Sequence, residues 1–206
     1  MPCPSKQIHY GAFIFNVNED VYEPAEDSFL FAEDLDVKGG EQVLDVGTGC
    51  GMLGILAAKK ATSVVAVDLN PYAIRCAKEN SLLNDVRNKM GFVQASLFTA
   101  LNQTAKFDLI LFNAPYLPSE EKESESWIGR SWAGGANGRD VVDSFICEVP
   151  THLKPKGKVL MMQSTLTGVE ETIRGFRAHG LMAFVIAERK LPFFETLTLI
   201  QATAGE

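Results

Sequence analysis

Three glycines at alternate positions, preceded by an acidic residue, form the stretch whose ligand chemistry is easiest to foresee. It reads Asp45-Val46-Gly47-Thr48-Gly49-Cys50-Gly51 and lies between two apolar segments. Glycine lets the backbone turn sharply and lets a ligand lie against bare main chain. Position 52 is Met, so the spacing is not the G-x-G-x-x-G of dinucleotide-binding folds. Asp45 suits a ligand with a cationic head better than a pyrophosphate; a plain strand–helix turn is the alternative.

A second acidic residue, Asp68, ends another apolar run 17 residues past Gly51. In βαβ nucleotide-binding folds, an acidic side chain at the end of the second strand binds ribose hydroxyls. Asp68 could instead cap the helix that is predicted to begin at Pro71. The glycine turn and this aspartate together indicate a nucleoside-binding site more specifically than either does alone.

The third candidate is the stretch Asn113-Ala114-Pro115-Tyr116, which ends a nearly continuous apolar run. Ligands of parallel sheets bind beyond the carboxyl ends of the strands, so we expect Asn113 on the same edge as Gly47 and Asp68. The alternative is an Asx-turn that ends a strand, with Tyr116 in the core.

A short segment before the glycine turn could face the same ligand. Pro24 suits the first turn of a helix, and Glu26 and Asp27 suit its positive end. Glu26, Asp27 and Ser28 either face the ligand or belong to a well-capped helix. Phe29, Leu30 and Leu35 are predicted to supply the buried side of that helix.

The elements that position these residues predict an α/β fold with a doubly wound, mostly parallel seven-stranded sheet. The last two strands follow one another without a helix, which indicates an antiparallel hairpin at one sheet edge. One or two further edge strands are expected within residues 8–17. The predicted strands are residues 42–46, 63–67, 91–94, 107–112, 158–163, 182–190 and 195–202, and the predicted helices are residues 52–60, 71–84, 141–153 and 169–179.

Residues 119–140 have no apolar periodicity and follow the Asn113 stretch directly. Long loops inside compact domains are usually functional or disordered. We therefore expect a substrate loop or lid that includes Trp127 and Trp132; a solvated acidic insertion is the alternative. The acidic residues are Glu120, Glu121, Glu123 and Glu125.

Composition excludes several classes of function. The chain has 206 residues and a net charge of −7, so we expect one domain without a basic field for nucleic acid. No apolar run approaches the length of a membrane span, and no secretory leader is expected. The cysteines and histidines are dispersed, which favours reduced thiols in a cytoplasmic protein and no metal site. They are Cys3, Cys50, Cys76, Cys147, His9, His152 and His179.

These motifs together resemble the class I S-adenosylmethionine-dependent methyltransferases over almost the whole chain. Asn113-Ala114-Pro115-Tyr116 is similar to the (N/D)-P-P-Y motif of enzymes that methylate planar nitrogens. Two further stretches resemble the HemK-like release-factor glutamine methyltransferases, most closely the short archaeal and eukaryotic branch, which lacks the N-terminal helical domain of the bacterial branch. They are Tyr22-Glu23-Pro24-Ala25-Glu26-Asp27-Ser28 and Trp132-Ala133-Gly134-Gly135-Ala136-Asn137-Gly138-Arg139.

The resemblance implies a single methyltransferase domain over residues 1–206, with an N-terminal extension and a cofactor-facing helix in residues 1–40 and a catalytic core in residues 41–206. Three positions depart from the family: Ala114 replaces Pro, Ser96 replaces Asp, and Ser28 replaces Thr. The implied catalytic residues are Asn113, Ala114, Pro115 and Tyr116. The implied S-adenosylmethionine-binding residues are Glu26, Asp27, Ser28, Asp45, Gly47, Thr48, Gly49, Gly51, Asp68, Leu69, Ser96, Leu97 and Asn113.

The implied reaction is methyl transfer to the side-chain amide of a glutamine in a class 1 release factor, without a metal. Methylation of an adenine or guanine amino group in RNA or DNA is the first alternative, and a non-catalytic cofactor-binding scaffold is the second. A small zinc-binding activator subunit is a further implied partner. For catalysis, Asn113→Asp is expected to retain more activity than Asn113→Ala, because a carboxylate still accepts an N–H.

Overall fold

The computed structural model describes residues 6–120, 122 and 125–205. Its central feature is a seven-stranded sheet in the order β5-β4-β3-β6-β7-β9-β8. Strands β3 to β7 are parallel, whereas β9 runs antiparallel to both β7 and β8. The predicted doubly wound sheet with an antiparallel C-terminal hairpin at its edge is therefore confirmed. The strands are β3 (Gln42–Val46), β4 (Ser63–Asp68), β5 (Met90–Gln94), β6 (Phe107–Asn113), β7 (Leu153–Ser164), β8 (Leu181–Lys190) and β9 (Thr196–Ala204).

Helices cover both faces of this sheet and enclose two apolar clusters. One cluster joins the sheet to the first three helices and contains the buried side chains of Phe31 and Ile55. The other joins it to the last two helices and contains Phe145 and Phe176. Both faces are buried, which is why β6 reads as a continuous apolar run. The helices are α1 (Glu26–Glu33), α2 (Met52–Ala58), α3 (Pro71–Leu83), α4 (Trp127–Arg130), α5 (Asp140–Glu148) and α6 (Val169–Ala178).

Strand register brings the candidate residues to one edge. Val46 of β3 pairs with Val67 of β4 and with Phe112 of β6, so these three strands end at the same level. The residues that follow each strand end therefore meet outside the sheet, where parallel folds bind ligands.

Two expectations about the elements were wrong. Strands β1 (Lys6–Tyr10) and β2 (Phe13–Val17) form a separate two-stranded sheet and do not extend an edge of the large one. The helix expected over residues 141–153 ends at Glu148, followed by a 3₁₀ turn, Val149–His152. Pro150 explains the early end, because proline has no N–H to continue an α-helix and its ring clashes with the preceding turn.

The β1–β2 hairpin is fixed to α3 by two asparagine side chains. Asn80 accepts the N–H of Asn16 and donates to its carbonyl, at 2.9 Å for each bond. Asn84 makes the equivalent pair with Ile14, at 3.1 and 2.7 Å. These amides supply one donor and one acceptor each, as a neighbouring strand would, and so hold the N-terminal segment beside the glycine turn.

No helix among the described residues is long and apolar enough to cross a membrane. Within those residues, no cluster of His, Cys, Asp and Glu has the arrangement of a metal site. Cys50, Cys76 and Cys147 are free thiols. The fourth cysteine, Cys3, lies outside the described residues, as do Glu121 and Glu123 of the acidic segment.

Candidate active site

A cavity of about 320 Å³ opens at the carboxyl ends of β3, β4 and β6. Nearly all the predicted site residues contribute to its wall. They are Asp27, Ser28, Asp45, Gly47, Thr48, Gly49, Asp68, Leu69, Ser96, Leu97, Asn113, Ala114, Pro115 and Tyr116. Residues separated by almost 90 positions in the chain therefore surround one space.

The glycine turn presents bare backbone to this cavity. Gly47 and Gly49 have φ angles of +66° and +55°, a left-handed conformation that L-residues with side chains adopt at a cost. A Cβ on Gly49 would meet nothing within 4 Å, so backbone conformation and not crowding requires glycine here. The N–H of Gly49 donates to Asp68 Oδ2 at 2.9 Å, and the N–H of Asn70 donates to Asp68 Oδ1 at 2.8 Å. Asp68 thus fixes the turn while its carboxylate stays on the cavity wall.

Asp45 organises the turn from below. Its Oδ2 accepts the hydroxyl of Thr48 at 2.6 Å and the N–H of Gly54 at 2.9 Å. A Cβ on Gly54 would lie 2.7 Å from that oxygen, so this helix glycine makes the contact possible. Burial raises the pKa of Asp45 to about 7, against the lowering effect of the two hydrogen bonds. Asp45 Oδ2 therefore binds the glycine turn and the start of α2, although the sequence indicated a contact with a cationic ligand.

Two predicted site residues do not line the cavity. Gly51 faces α3, where an added Cβ would lie 2.9 Å from the Cβ of Ala77, so this glycine permits close helix packing. Glu26 is exposed at the start of α1 and pairs with Arg189 of β8 at 3.2 Å. The ion pair accompanies a Glu26 side chain that lies away from the cavity, whereas Asp27 and Ser28 are buried and line it.

The side-chain amide of Asn113 has a fixed orientation. Its Nδ2 donates to Asp27 Oδ2 at 3.0 Å and to Ser28 Oγ at 3.3 Å. A carboxylate accepts hydrogen bonds and cannot donate them, so the NH₂ group and not the oxygen must face Asp27. The remaining atom, Asn113 Oδ1, is buried and has no hydrogen-bond partner among the described residues. The site therefore holds a buried, unsatisfied acceptor, which normally costs about 1–3 kcal/mol.

Two tyrosines lie close to Asp27, the hydrogen-bond partner of this amide. Tyr22 donates its hydroxyl to Asp27 Oδ1 at 3.1 Å. Burial, reinforced by the negative charge of Asp27, raises the pKa of both Tyr22 and Tyr116 well above the ordinary value. Both therefore stay neutral phenols across the physiological range, so they act as donors and apolar surfaces and not as bases.

Residues 132–140 brace the loop that follows Asn113. Leu117 donates to the carbonyl of Trp132 at 2.9 Å and accepts the N–H of Gly134 at 2.8 Å, and Ser119 donates to Gly135 at 2.9 Å. A Cβ on Gly138 would lie 2.5 Å from the carbonyl oxygen of Tyr116, so only glycine fits there. The predicted substrate loop is thus joined to the Tyr116 backbone.

The buried side chain of Arg139 secures the same brace from behind. Its guanidinium donates to the carbonyl of Thr167 at 2.6 Å and to the hydroxyl of Thr172 at 3.1 Å, and it pairs with Asp143 at 2.6 Å. These bonds tie the start of α5 to the start of α6. The Gly138-Arg139 pair of the sequence motif is therefore accounted for by packing and hydrogen bonding behind the cavity.

Comparison with known proteins identifies the family. Residues 27–114 match the family described as ribosomal protein L11 methyltransferase (PrmA). A Methanocaldococcus jannaschii protein named for protein N5-glutamine methyltransferase activity is 45% identical over 186 residues, 89% of this chain and 92% of that protein. Methyltransferase HEMK2 of Homo sapiens is 32% identical over 204 residues, 95% of this chain and 94% of that protein. The chain belongs to the HemK-like methyltransferase family.

A solved structure supports the assignment of this HemK-like methyltransferase. It is the structure of the E. cuniculi Mtq2–Trm112 complex, which is responsible for the methylation of the eRF1 translation termination factor. The superposition gives a TM-score of 0.70 at 26% identity and covers 90% of this chain and 99% of that one.

Tyr22 and Arg130 line the cavity of this HemK-like methyltransferase, although no sequence pattern indicated a role for either side chain. Tyr22 begins the motif of residues 22–28, yet its hydrogen bond with Asp27 depends on the conformation of the turn between the two residues. Trp127, Arg130 and Trp132 reach the cavity from the loop after β6. The Arg130 guanidinium lies 4.9 Å from the centre of the Trp127 ring, a cation–π distance. Two tryptophans in a segment without periodicity were the available sequence signal.

Asp45 gives this HemK-like methyltransferase a measurable pH dependence of stability. The pKa of its carboxyl is about 7 in the folded protein against 3.8 as the reference, so between these values the folded state holds a proton that the unfolded state releases. Stability must therefore fall as pH rises through that window. Relative to Asp45→Asn, we expect the wild type to lose roughly 3 kcal/mol of unfolding free energy between pH 5 and pH 8. Urea unfolding at both pH values measures this; identical losses in the two proteins would contradict it.

Proposed function

We propose that this protein transfers a methyl group from S-adenosylmethionine to the side-chain amide nitrogen of a glutamine in a class 1 release factor. The observation that carries the proposal is the fixed amide of Asn113, which leaves one buried acceptor oxygen without a partner. A primary amide brings two N–H donors on a planar nitrogen, which is the complement of that acceptor and a neighbouring backbone carbonyl.

The residues of the cavity fit the proposed cofactor. The open backbone of Gly47 and Gly49 accommodates a ligand lying against main chain, and the carboxylate of Asp68 lies at the ribose position of βαβ folds. Each oxygen of Asp68 accepts one backbone N–H and keeps a lone pair for a hydroxyl. The wall also contains Leu69 and Leu97, which offer apolar surface to a purine.

An amide nitrogen is a poor nucleophile because its lone pair is delocalised into the carbonyl group. S-adenosylmethionine, when bound, would supply a methyl group already activated by its sulfonium. Formation of the N–CH₃ bond would break the S–CH₃ bond and release S-adenosylhomocysteine, and the methylated nitrogen would lose one of its protons to solvent. In our proposal Asn113 Oδ1 and the carbonyl of Ala114 each accept one N–H of the target NH₂. The two bonds hold the nitrogen in place and favour the positive charge that develops on it.

The surrounding residues keep this arrangement in place. Asp27 holds the amide of Asn113 in the orientation that presents oxygen to the substrate. Tyr116, a neutral and largely buried phenol, supplies a flat surface against which a planar amide can stack. Trp127 and Trp132 also line the cavity, and in our proposal their apolar rings help to exclude water from it.

The names of relatives support the proposed substrate and partner. Several are named release factor glutamine methyltransferase, and the E. cuniculi neighbour forms a complex with Trm112. We therefore propose that residues 1–206 act as one catalytic domain in the cytoplasm and pair with the small zinc-binding activator subunit. The net charge of −7 disfavours the alternative of a nucleic-acid substrate.

Incubation with radiolabelled S-adenosylmethionine tests the proposal. Purified enzyme, alone or with the activator subunit, is given a class 1 release factor, the same factor with its target glutamine changed to alanine, or total RNA. Label should appear only in the unmodified release factor. Label in RNA instead would show that the acceptor is a nucleobase amino group and not a glutamine amide. Label in neither the release factor nor the RNA would reject both acceptors.

Asp68→Ala should weaken S-adenosylmethionine binding by roughly 1–3 kcal/mol, the range for a hydrogen bond to a charged group. The fold should survive, because Asp68 lies at a strand end and its partners are turn amides. Isothermal titration calorimetry measures the affinity, and circular dichroism checks the fold. An unchanged affinity for S-adenosylmethionine in the folded variant would show that Asp68 does not bind the cofactor.

A further inference from the structure

The turn between β8 and β9 carries the most exposed apolar side chains in the described part of the chain. Phe193 and Phe194 are 95% and 103% exposed. Both have left-handed backbones, with φ angles of +63° and +64°. Asn and Gly are the usual residues in such positions, because they adopt this conformation at little cost. Neither turn formation nor core packing therefore explains two adjacent phenylalanines.

The turn lies on the same rim of the sheet as the cavity. Strand β9 is antiparallel to β7, and Leu197 near its start pairs with Ser164 at the carboxyl end of β7. The β8–β9 turn therefore stands beside the ends of the parallel strands, where Asn113 also lies.

Contacts on both sides connect the turn to elements of the site. Before it, Arg189 of β8 pairs with Glu26 and Glu33 of α1, the helix that carries Asp27. After it, the N–H of Thr196 donates to Thr165 Oγ1 at 3.0 Å. Glu195 is close enough to help raise the pKa of Tyr116, although burial has the larger effect. The turn that carries the two phenyl rings is therefore anchored on both sides and lies near the cavity.

We propose that Phe193 and Phe194 form a docking contact for the folded protein substrate, against an apolar patch beside the glutamine that enters the cavity. This inference rests on the proposed function, since only a polypeptide acceptor extends beyond the cavity onto the rim. Only the glutamine side chain enters the cavity, beside the cofactor, so the backbone and neighbouring surface of its protein must lie outside. Aromatic side chains, phenylalanine among them, are enriched in protein–protein interfaces relative to the rest of the surface.

The test is a double variant that keeps the turn and removes the rings, Phe193→Asn with Phe194→Gly. Steady-state methylation of a class 1 release factor, with the activator subunit present, should show a KM for the release factor at least about tenfold higher. The kcat and the affinity for S-adenosylmethionine should stay unchanged. The melting temperature should stay level or rise, because Asn and Gly relieve the left-handed strain.

The chain offers a matched control at the opposite end of β8. Met182 and Phe184 are also exposed apolar residues, at 72% and 46%, but lie far along the strand from the turn. Met182→Thr with Phe184→Thr should leave the KM for the release factor unchanged. An equal rise in both double variants would overturn the proposal, and so would an unchanged KM in the turn variant. A wild type inactive on the release factor would instead defeat the proposed function and, with it, this inference.

Discussion

Asn113→Ala should lower the rate of methyl transfer at least about a hundredfold, the usual loss for one preorganised transition-state contact. The cofactor affinity should hardly change, because the glycine turn and Asp68 do not depend on Asn113. Single-turnover kinetics and calorimetry measure the two quantities separately. Asn102→Ala, which changes an exposed asparagine away from the cavity, is the control. Near-normal turnover of the Asn113→Ala variant would show that residues 113–116 only end a strand and do not take part in methyl transfer.

The structure reverses the expectation for Asn113→Asp. Asp27 Oδ2 lies 3.0 Å from the nitrogen that a carboxylate oxygen would replace. Two carboxylates at that distance repel each other, and one of them must bind a proton to remain. Asn113→Asp should therefore be no more active than Asn113→Ala near neutral pH, and should regain activity as the pH is lowered. The partner that decides this lies 86 positions away in the chain, so the sequence did not show it.

Asp27→Asn should be almost as damaging, although it changes one atom. Three donors, the Tyr22 hydroxyl and the N–H and hydroxyl of Ser28, surround Asp27 Oδ1 and require an oxygen there. The new NH₂ group must then face Asn113, whose amide has to flip and present its own NH₂ to the substrate. We expect methyl transfer to fall by roughly two orders of magnitude with little change in melting temperature.

The same kinetic assay checks the Asp27 prediction, with the exposed Asp36→Asn as the matched control. An Asp27→Asn enzyme as fast as the wild type would show that Asn113 does not need Asp27 to orient its amide. Loss of cofactor binding instead of methyl transfer would place Asp27 in the cofactor site alone.

The sequence predicted the large sheet well, because strands β4, β5 and β6 are short, mainly apolar runs that each end at a polar residue. Strands β3 and β6 begin where expected, and β6 ends one residue later than predicted. The separate β1–β2 sheet was not foreseen, because its attachment depends on Asn80 and Asn84 of a distant helix. The local sequence pattern identifies helices and strands, whereas the element against which each one packs depends on the tertiary fold.

The sequence likewise predicted some properties of the candidate site and not others. Glycine spacing and strand ends placed Gly47, Asp68 and Asn113 together, since parallel strands must share an edge. The spacing of residues in the sequence does not determine the direction in which a side chain points. Glu26 and Asp27 are adjacent, yet an arginine near the end of the chain draws Glu26 outward. Burial, which spacing does not report, is the main cause that raises the pKa of Asp45, and the charge of Asp68 adds a smaller contribution.

The brace between Leu117–Ser119 and residues 132–140 has a consequence for how this enzyme can evolve. Hydrogen bonds close the base of the intervening segment, so its two ends stay together whatever lies between them. Lengthening a closed loop costs little, about 0.6 kcal/mol for each doubling. Insertions, deletions and wholesale replacement between Ser119 and Trp132 can therefore accumulate without moving Asn113. Acceptor preference can diversify there while the methyl-transfer geometry is inherited intact.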